Sequence, residues 1–437
     1  MADRREVDII SSGRDPDRRR PAGWRWLAGW RWLAATIAAA LVASGVAAHL
    51  ILGSSGHLPH RKAHGALSSV TLAAPSMLHG TPLRPGAAPA ALLFLGGNQL
   101  RLLNVAGQAT ARVASAPPAA GGARDPLGPD PVVRQIISVT GGIVAVLAGD
   151  GSAGLPDIGD VVFIPVRGSR AGAARLIARA NYAAVAPDHS DIWVEQAGPP
   201  WGNGPADSPV ALVDEAGHRL SAAAPLHGRV LDAATAGGLL VQGPLGEVAL
   251  INPVSGTAVR SGIPANAIIA GADADQVAWV SASCTIGCSL HVTSVPGGQD
   301  KRIALPPATS VDLADASAFD QGGQRLALPL DIANRRGMTM GTSVYVADIS
   351  AGTLIPLPGG PVPLAALPAV PGAIPAGTSD VVSVRWTADG SRLWIVATDG
   401  LFFQAAYWTG AGPLRVLRPQ PGLAYKFGLP GPGAPGQ

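Results

Sequence analysis

The chain has 437 residues, 47% of them apolar and only 14% charged, with a formal net charge of +3. That is ample material for a core, in one large repeat domain or two to three ordinary ones. Residues 1–31 hold eight arginines against five acids, which is the whole net charge; the remainder balances 24 basic with 24 acidic residues and lacks the electrostatic footprint of nucleic-acid binding.

Residues 1–31 read as a basic cytoplasmic N-terminus, an orientation signal or docking peptide too short to fold alone. Trp32 to Leu52 contains no Asp, Glu, Lys or Arg. As a helix it would span roughly 30 Å, enough to cross a bilayer core. The arginines before it predict a cytoplasmic N-terminus. Trp24, Trp26, Trp30 and Trp32 sit in a tandem WRWLAG–WRWLAA. They suit an aromatic collar at the membrane interface, with Arg25 and Arg31 snorkelling to headgroups. A cleaved signal peptide ending near Ala47-Ala48 is the competing reading. Either one exports the rest of the chain. Residues 53–89 read as an extracytoplasmic tether. Its His57, His60 and His64 have no neighbouring acid or cysteine to fix a metal geometry, so no metal is expected there.

From residue 90 to 418 pairs of strands repeat. Their first members start at residues 90, 142, 191, 238, 276, 324 and 391. The long last interval contains a Pro-rich insertion, 355–377. Trp193, Trp279 and Trp394 occupy one slot in their units, as Ile-Trp-Val, Ala-Trp-Val and Leu-Trp-Ile. They are expected to pack between neighbouring sheets. Most units add an apolar segment before the pair, such as 134–140, 229–234 or 382–386. Many add a strand after it, such as 174–178 or 413–417. Four strands per unit of about 40 to 50 residues predict an all-β chain, a β-propeller of six or seven blades behind a single transmembrane helix. The first blade lacks an inner strand, which residues near Ser68–Leu72 or the tail could supply. The Gly/Pro-rich tail, 419–437, otherwise reads as a loose end.

Trp386-Thr387-Ala388-Asp389-Gly390-Ser391-Arg392-Leu393 resembles the turn between the first two strands of TolB-like and WD40-like propeller blades. The resemblance implies that Asp389-Gly390 makes the tight turn and that the following Leu393 enters the core. Asp320-Gln321-Gly322-Gly323-Gln324-Arg325-Leu326 is a looser copy. The resemblance covers residues 90–418 and is to the membrane-anchored, exported propellers of actinobacterial type.

Cys284-Thr285-Ile286-Gly287-Cys288 fits a three-residue hairpin loop whose cysteines face each other at disulfide distance. Such a bond agrees with an oxidising compartment. Acidic stretches such as Asp150-Gly151-Ser152, 157–160 and 312–315 lack calcium-loop spacing. No G-x-S-x-G elbow, P-loop or dinucleotide fingerprint occurs. No catalytic residue, metal or cofactor is therefore assigned. The strands expected to line the channel are apolar apart from Asp232 and Arg385. The leading expectation is a binding or scaffold module at the cell envelope, recognising protein or glycan through blade loops. The alternatives are a propeller hydrolase or lyase using channel carboxylates, and the sensory ectodomain of a signalling complex.

Overall fold

The computed structural model describes residues 77–431, apart from 85–86, 98, 114–131, 149–158, 181, 186–189, 196–206, 228, 236–237, 244–245, 253–254, 256, 274, 282–287, 308, 312–316, 334–338, 359–380, 399–401, 423 and 425. Residues 1–31, expected to be cytoplasmic, the apolar run 32–52 with the expected aromatic collar, and the expected tether up to residue 76 lie outside the described residues. Among the described residues every element is a β-strand, and no helix is long and apolar enough to cross a membrane.

The strands form seven sheets, the blades of a propeller. Blade one holds Leu92–Gly96, Leu100–Asn104 and Ala109–Arg112. Blade two holds Val132–Val139, Gly142–Ala148, Asp160–Arg167 and Arg175–Arg179. Blade three runs Tyr182–Val185, Ile192–Glu195, Asp207–Val213 and Arg219–His227. Blade four runs Arg229–Thr235, Gly238–Gln242, Val248–Ile251 and Ala258–Arg260. Blade five runs Ile268–Ala272, Gln276–Val280, Ser289–Ser294 and Asp300–Ala304. Blade six has a divided inner strand, Thr309–Val311 and Ala318–Phe319, then Arg325–Ala333, Thr339–Asp348 and Thr353–Pro356. Blade seven runs Val381–Trp386, Leu393–Thr398, Phe402–Trp408 and Arg415–Val416. The strands named so far pair antiparallel with their neighbours, in chain order from the inside outwards.

A central blade strand is covered on both faces, so it reads as an unbroken apolar run. Leu393–Thr398 is buried at every position. Its alternate residues serve different grooves. Leu393 and Ile395 pack with Val344 and Val346 of blade six, whereas Trp394 and Val396 pack with Leu93 and Leu95 of blade one. Trp193 likewise fills the groove between blades three and four beside Leu239 and Val241, and Trp279 the groove between four and five beside Leu240 and Leu250. The shared tryptophan slot is thus an inter-blade packing position.

The ring closes through both ends of the described chain. Lys426–Gly428 forms the inner strand of blade one, with Leu95 opposite Phe427 and Phe94 opposite Gly428. Phe427 is fully buried, and a Cβ on Gly428 would overlap Ile136. Of the two sources expected for the missing inner strand of blade one, the tail supplies it, so these three residues are structural and not a loose end. A strand this short, set among Gly and Pro, leaves no periodic signal in the sequence. At the other end, Thr81–Pro82 pairs in parallel with Arg415–Val416 and extends blade seven outwards. Met77 and Leu78, placed by sequence in the tether, are buried in the groove between blades six and seven. The composition of 53–89 is that of a linker, but two adjacent apolar residues suffice to dock it.

Candidate binding face

The blade order gives the propeller two unlike rims. One carries the connections from the first to the second and from the third to the fourth strand of each blade. These are tight: most run six residues or fewer, as at 387–392, and the longest, 168–174, runs seven. The opposite rim carries the second-to-third connections and the crossings between blades. Every long connection leaves from it: 113–131, 149–159, 196–206, 281–288 and 357–380. Loops on a rigid scaffold are where propeller-like folds place their contacts. The described strands that lead into the acidic stretch 157–160 and the cysteine motif end at this rim, as does Thr353–Pro356, which contains the first two residues of the expected Pro-rich insertion 355–377. Cys284 lies outside the described residues. Cys288 lies just before Ser289–Ser294, where its carbonyl accepts the Leu305 N–H at 2.8 Å.

The tight rim is held by side chains that bridge blades. Thr387 N–H donates to the Arg392 carbonyl and Gly390 N–H to Thr387; Asp320 N–H donates to Arg325 and Gly323 N–H to Asp320. The two turns therefore superpose with Asp320 at the position of Thr387 and Arg325 at that of Arg392. Gly323 and Gly390 take φ of 63° and 64°, left-handed values that favour glycine. Arg325 Nε donates to Asp320 Oδ2 at 2.7 Å and its Nη2 to the Gly390 carbonyl of blade seven at 2.7 Å. Its guanidinium lies 4.2 Å from the ring centre of Trp386, also in blade seven. Gln276 of blade five makes the matching bond to the Gly323 carbonyl of blade six. A long side chain at the start of the second strand thus grips the glycine of the next blade's turn, twice in succession. Sequence reasoning missed this constellation. Its available signal was the repeated arginine one residue before the core leucine, in Arg325-Leu326 and Arg392-Leu393.

Asp389 is exposed and organises its own turn, as expected. Its carboxylate accepts from Thr387 Oγ1, from the Ser391 N–H at 3.0 Å and from Ser391 Oγ. These bonds, with Thr387 the largest contributor, lower its pKa from 3.8 to about 2. A depressed carboxylate pKa contributes stability that is present above the ordinary value and lost as pH falls through the folded one. Thr387→Val should therefore raise the Asp389 pKa towards 3.8. An NMR titration of its carboxyl carbon reads this directly, and an unmoved midpoint would contradict the assignment.

The innermost strands of blades two, four and five carry register irregularities, which locally interrupt the ladder to the second strand. In blade four, Val230 to Ala234 advances four residues while the partner strand advances two, from Val241 to Leu239; Asp232 falls in this bulge. Blade two has a bulge at Arg134 and blade five one at Ala270. Side chains then reach the neighbouring inner edge. Gln135 Oε1 accepts the Ala183 N–H of blade three at 3.0 Å, and Ser138 Oγ donates to Leu429 at 2.7 Å. Trp386 Nε1 donates to Ala318 of blade six, and Arg385 Nη1 donates to Val384 at 2.8 Å and to Ser317 at 3.4 Å. Arg385 and Asp232 belong to different blades, seven and four. The three tryptophans lie in three separate grooves and are not brought together.

Polar clusters also occur away from the channel. In blade five His291 stacks on Trp279 with ring centres 4.1 Å apart, and its Nδ1 lies 2.9 Å from Asp300 Oδ2. Thr293 Oγ1 accepts from Trp279 Nε1 at 2.9 Å. This network orients the buried indole. Among the described residues no group of three or more His, Cys, Asp or Glu is placed to hold a metal ion.

No family model matches the chain, and no curated protein matches it. Solved structures do. TolB from Acinetobacter baumannii is 11% identical over 79% of this chain and 66% of its own, just under two thirds of its length, with a TM-score of 0.38. The β-propeller domain of the Trilobed protease from Pyrococcus furiosus is 10% identical over 67% of this chain and 82% of its own, with a TM-score of 0.40. A prolyl endopeptidase structure is 12% identical over 80% of this chain and 51% of its own, with a TM-score of 0.46. The fold rests on the strand pairing described above; the described residues form an all-β, seven-bladed propeller, and the solved neighbours include TolB and other propeller domains.

Proposed function

We propose that the chain is an exported, membrane-anchored propeller that acts as a binding or scaffold module at the cell envelope. Its partner is a protein or glycan held by the loop-bearing rim. One observation carries this reading: the long connections all leave one rim, while the other is closed by short turns and inter-blade clips. The apolar run Trp32–Leu52 behind an arginine-rich start supports a single span with its N-terminus in the cytoplasm. The CTIGC hairpin supports an oxidising compartment, with Cys284 bonded to Cys288.

The test is site-specific photo-crosslinking in intact cells. Probes at Gln99 and Gly243, on the loop-bearing rim, should give adducts. Probes at Gly297 and Gly352, on the tight rim, should not. Equal adduct formation from both rims would remove the reading. In the same cells, added protease should digest the propeller, and both cysteines should react with an alkylating reagent only after reduction. An undigested chain with free thiols would refute the exported placement.

A further inference from the structure

The groove between blades six and seven is built like a peptide site, and it already holds a peptide. Its occupant is residues 77–83, which precede the first strand of blade one in the chain and add only Thr81–Pro82 to the edge of blade seven. Gln404 lies at the floor, fully buried, and its Oε1 accepts two consecutive backbone N–H groups, from Met77 at 2.7 Å and Leu78 at 2.9 Å. Its Nε2 donates to the Leu417 carbonyl at 2.9 Å, which fixes the amide's orientation. Backbone recognition of this kind is independent of the occupant's sequence. Side-chain selection is separate. Met77 and Leu78 sit among Val344, Val346 and Leu357 of blade six and Leu414 and Val416 of blade seven. At Gly80 any Cβ would overlap Val416 and lie 2.6 Å from the Leu414 carbonyl. Beyond it, Thr81 N–H donates to Leu414 and Leu83 N–H to Val416, at 2.8 and 2.9 Å.

The hold on this strap is thin where it forms a strand. The paired part is two residues long and parallel, both residues are exposed, and Pro82 has no N–H to give. Loss of the strap would leave the buried Gln404 carbonyl without those two donors, so an empty groove is unfavourable while a refilled one is not.

We propose that the groove between blades six and seven is a peptide-binding cleft, occupied at rest by the chain's own residues 77–83. It exchanges them for an extended segment of a partner protein with the same chemistry: two adjacent aliphatic residues, glycine two positions on, then a short strand. Such exchange adds the partner as the outermost strand of blade seven.

The experiment uses the full chain with a protease site replacing Pro85-Gly86, so that cleavage frees the strap without removing it. A fluorescein-labelled synthetic peptide of residues 75–84 is then added. The expected result is stable labelling of the folded, cleaved chain, reversed by unlabelled peptide. A Gly80→Val or Met77→Asp peptide should bind about tenfold more weakly or worse. In a second arm, uncleaved chain carrying Gly80→Val in its own strap should take up the wild-type peptide. Failure of both arms on folded protein overturns the proposal, as does equal binding of the Gly80→Val peptide.

Discussion

Removing residues 426–437 should cost the ring most of its stability, although they are a small part of the chain. The loss includes the fully buried Phe427, the buried Leu429 and the whole inner strand of blade one. Each such side chain is worth about 1.5–3 kcal/mol on burial. The exposed inner edge of Leu92–Gly96 adds unpaired backbone groups, and Ser138 loses its Leu429 acceptor. The sum, on the order of 5 kcal/mol or more, rivals the net stability of an ordinary domain. The milder Phe427→Ala should cost about 3–5 kcal/mol by the cavity it leaves. Urea unfolding followed by tryptophan fluorescence measures both. A truncated chain with an unchanged midpoint would show that the ring does not depend on this strand.

The second large effect is expected at Arg325. Asp320 is buried, and the guanidinium is its charged partner. Arg325→Ala removes that charge, the bond to Gly390 and the stack on Trp386 together. Breaking a buried pair costs about 3–5 kcal/mol. Arg325 is partly exposed, so about 2–3 kcal/mol is the appropriate expectation. Arg325→Met keeps the aliphatic stem over Trp386, and Asp320→Asn removes the charge that would be stranded. The double variant should then recover a good part of the loss. Strict additivity of the two single variants would show that the pair is not coupled. Gln276 and Gly323 provide the internal comparison, since the same grip occurs there without a charged donor.

The blades were legible because each central strand is a local apolar run bounded by turn residues. The seven pairs read from the sequence correspond to seven sheets, and segments such as 229–234 and 382–386 match the observed inner strands Arg229–Thr235 and Val381–Trp386. The inner strand of blade six shows the limit. The sequence marks its second piece at Ala318–Phe319, but Thr309–Val311, which pairs with the far end of the same partner strand, carries too little apolar periodicity to register. Closure was less legible still. Nothing local in Lys426-Phe427-Gly428 marks it as the partner of Leu95, because that pairing depends on the whole ring bringing the ends together. Gln404 and Arg325 look like ordinary polar residues in sequence. Their importance comes from groups far along the chain, such as Met77 for Gln404 and Gly390 for Arg325.

The pairing of Leu95 with Phe427 also sets an order of events during synthesis. Blade one is translated before the other six, yet its inner edge receives its partner only when Lys426–Gly428, beyond blade seven, has been made. Loop closure over such a span costs entropy before the contact repays it. Until then Leu93 and Leu95, which end up fully buried, face an unfinished seam. The nascent propeller therefore carries an open, apolar strand edge while blades two to seven are being made. That edge is the part of the molecule most in need of protection against pairing with another chain.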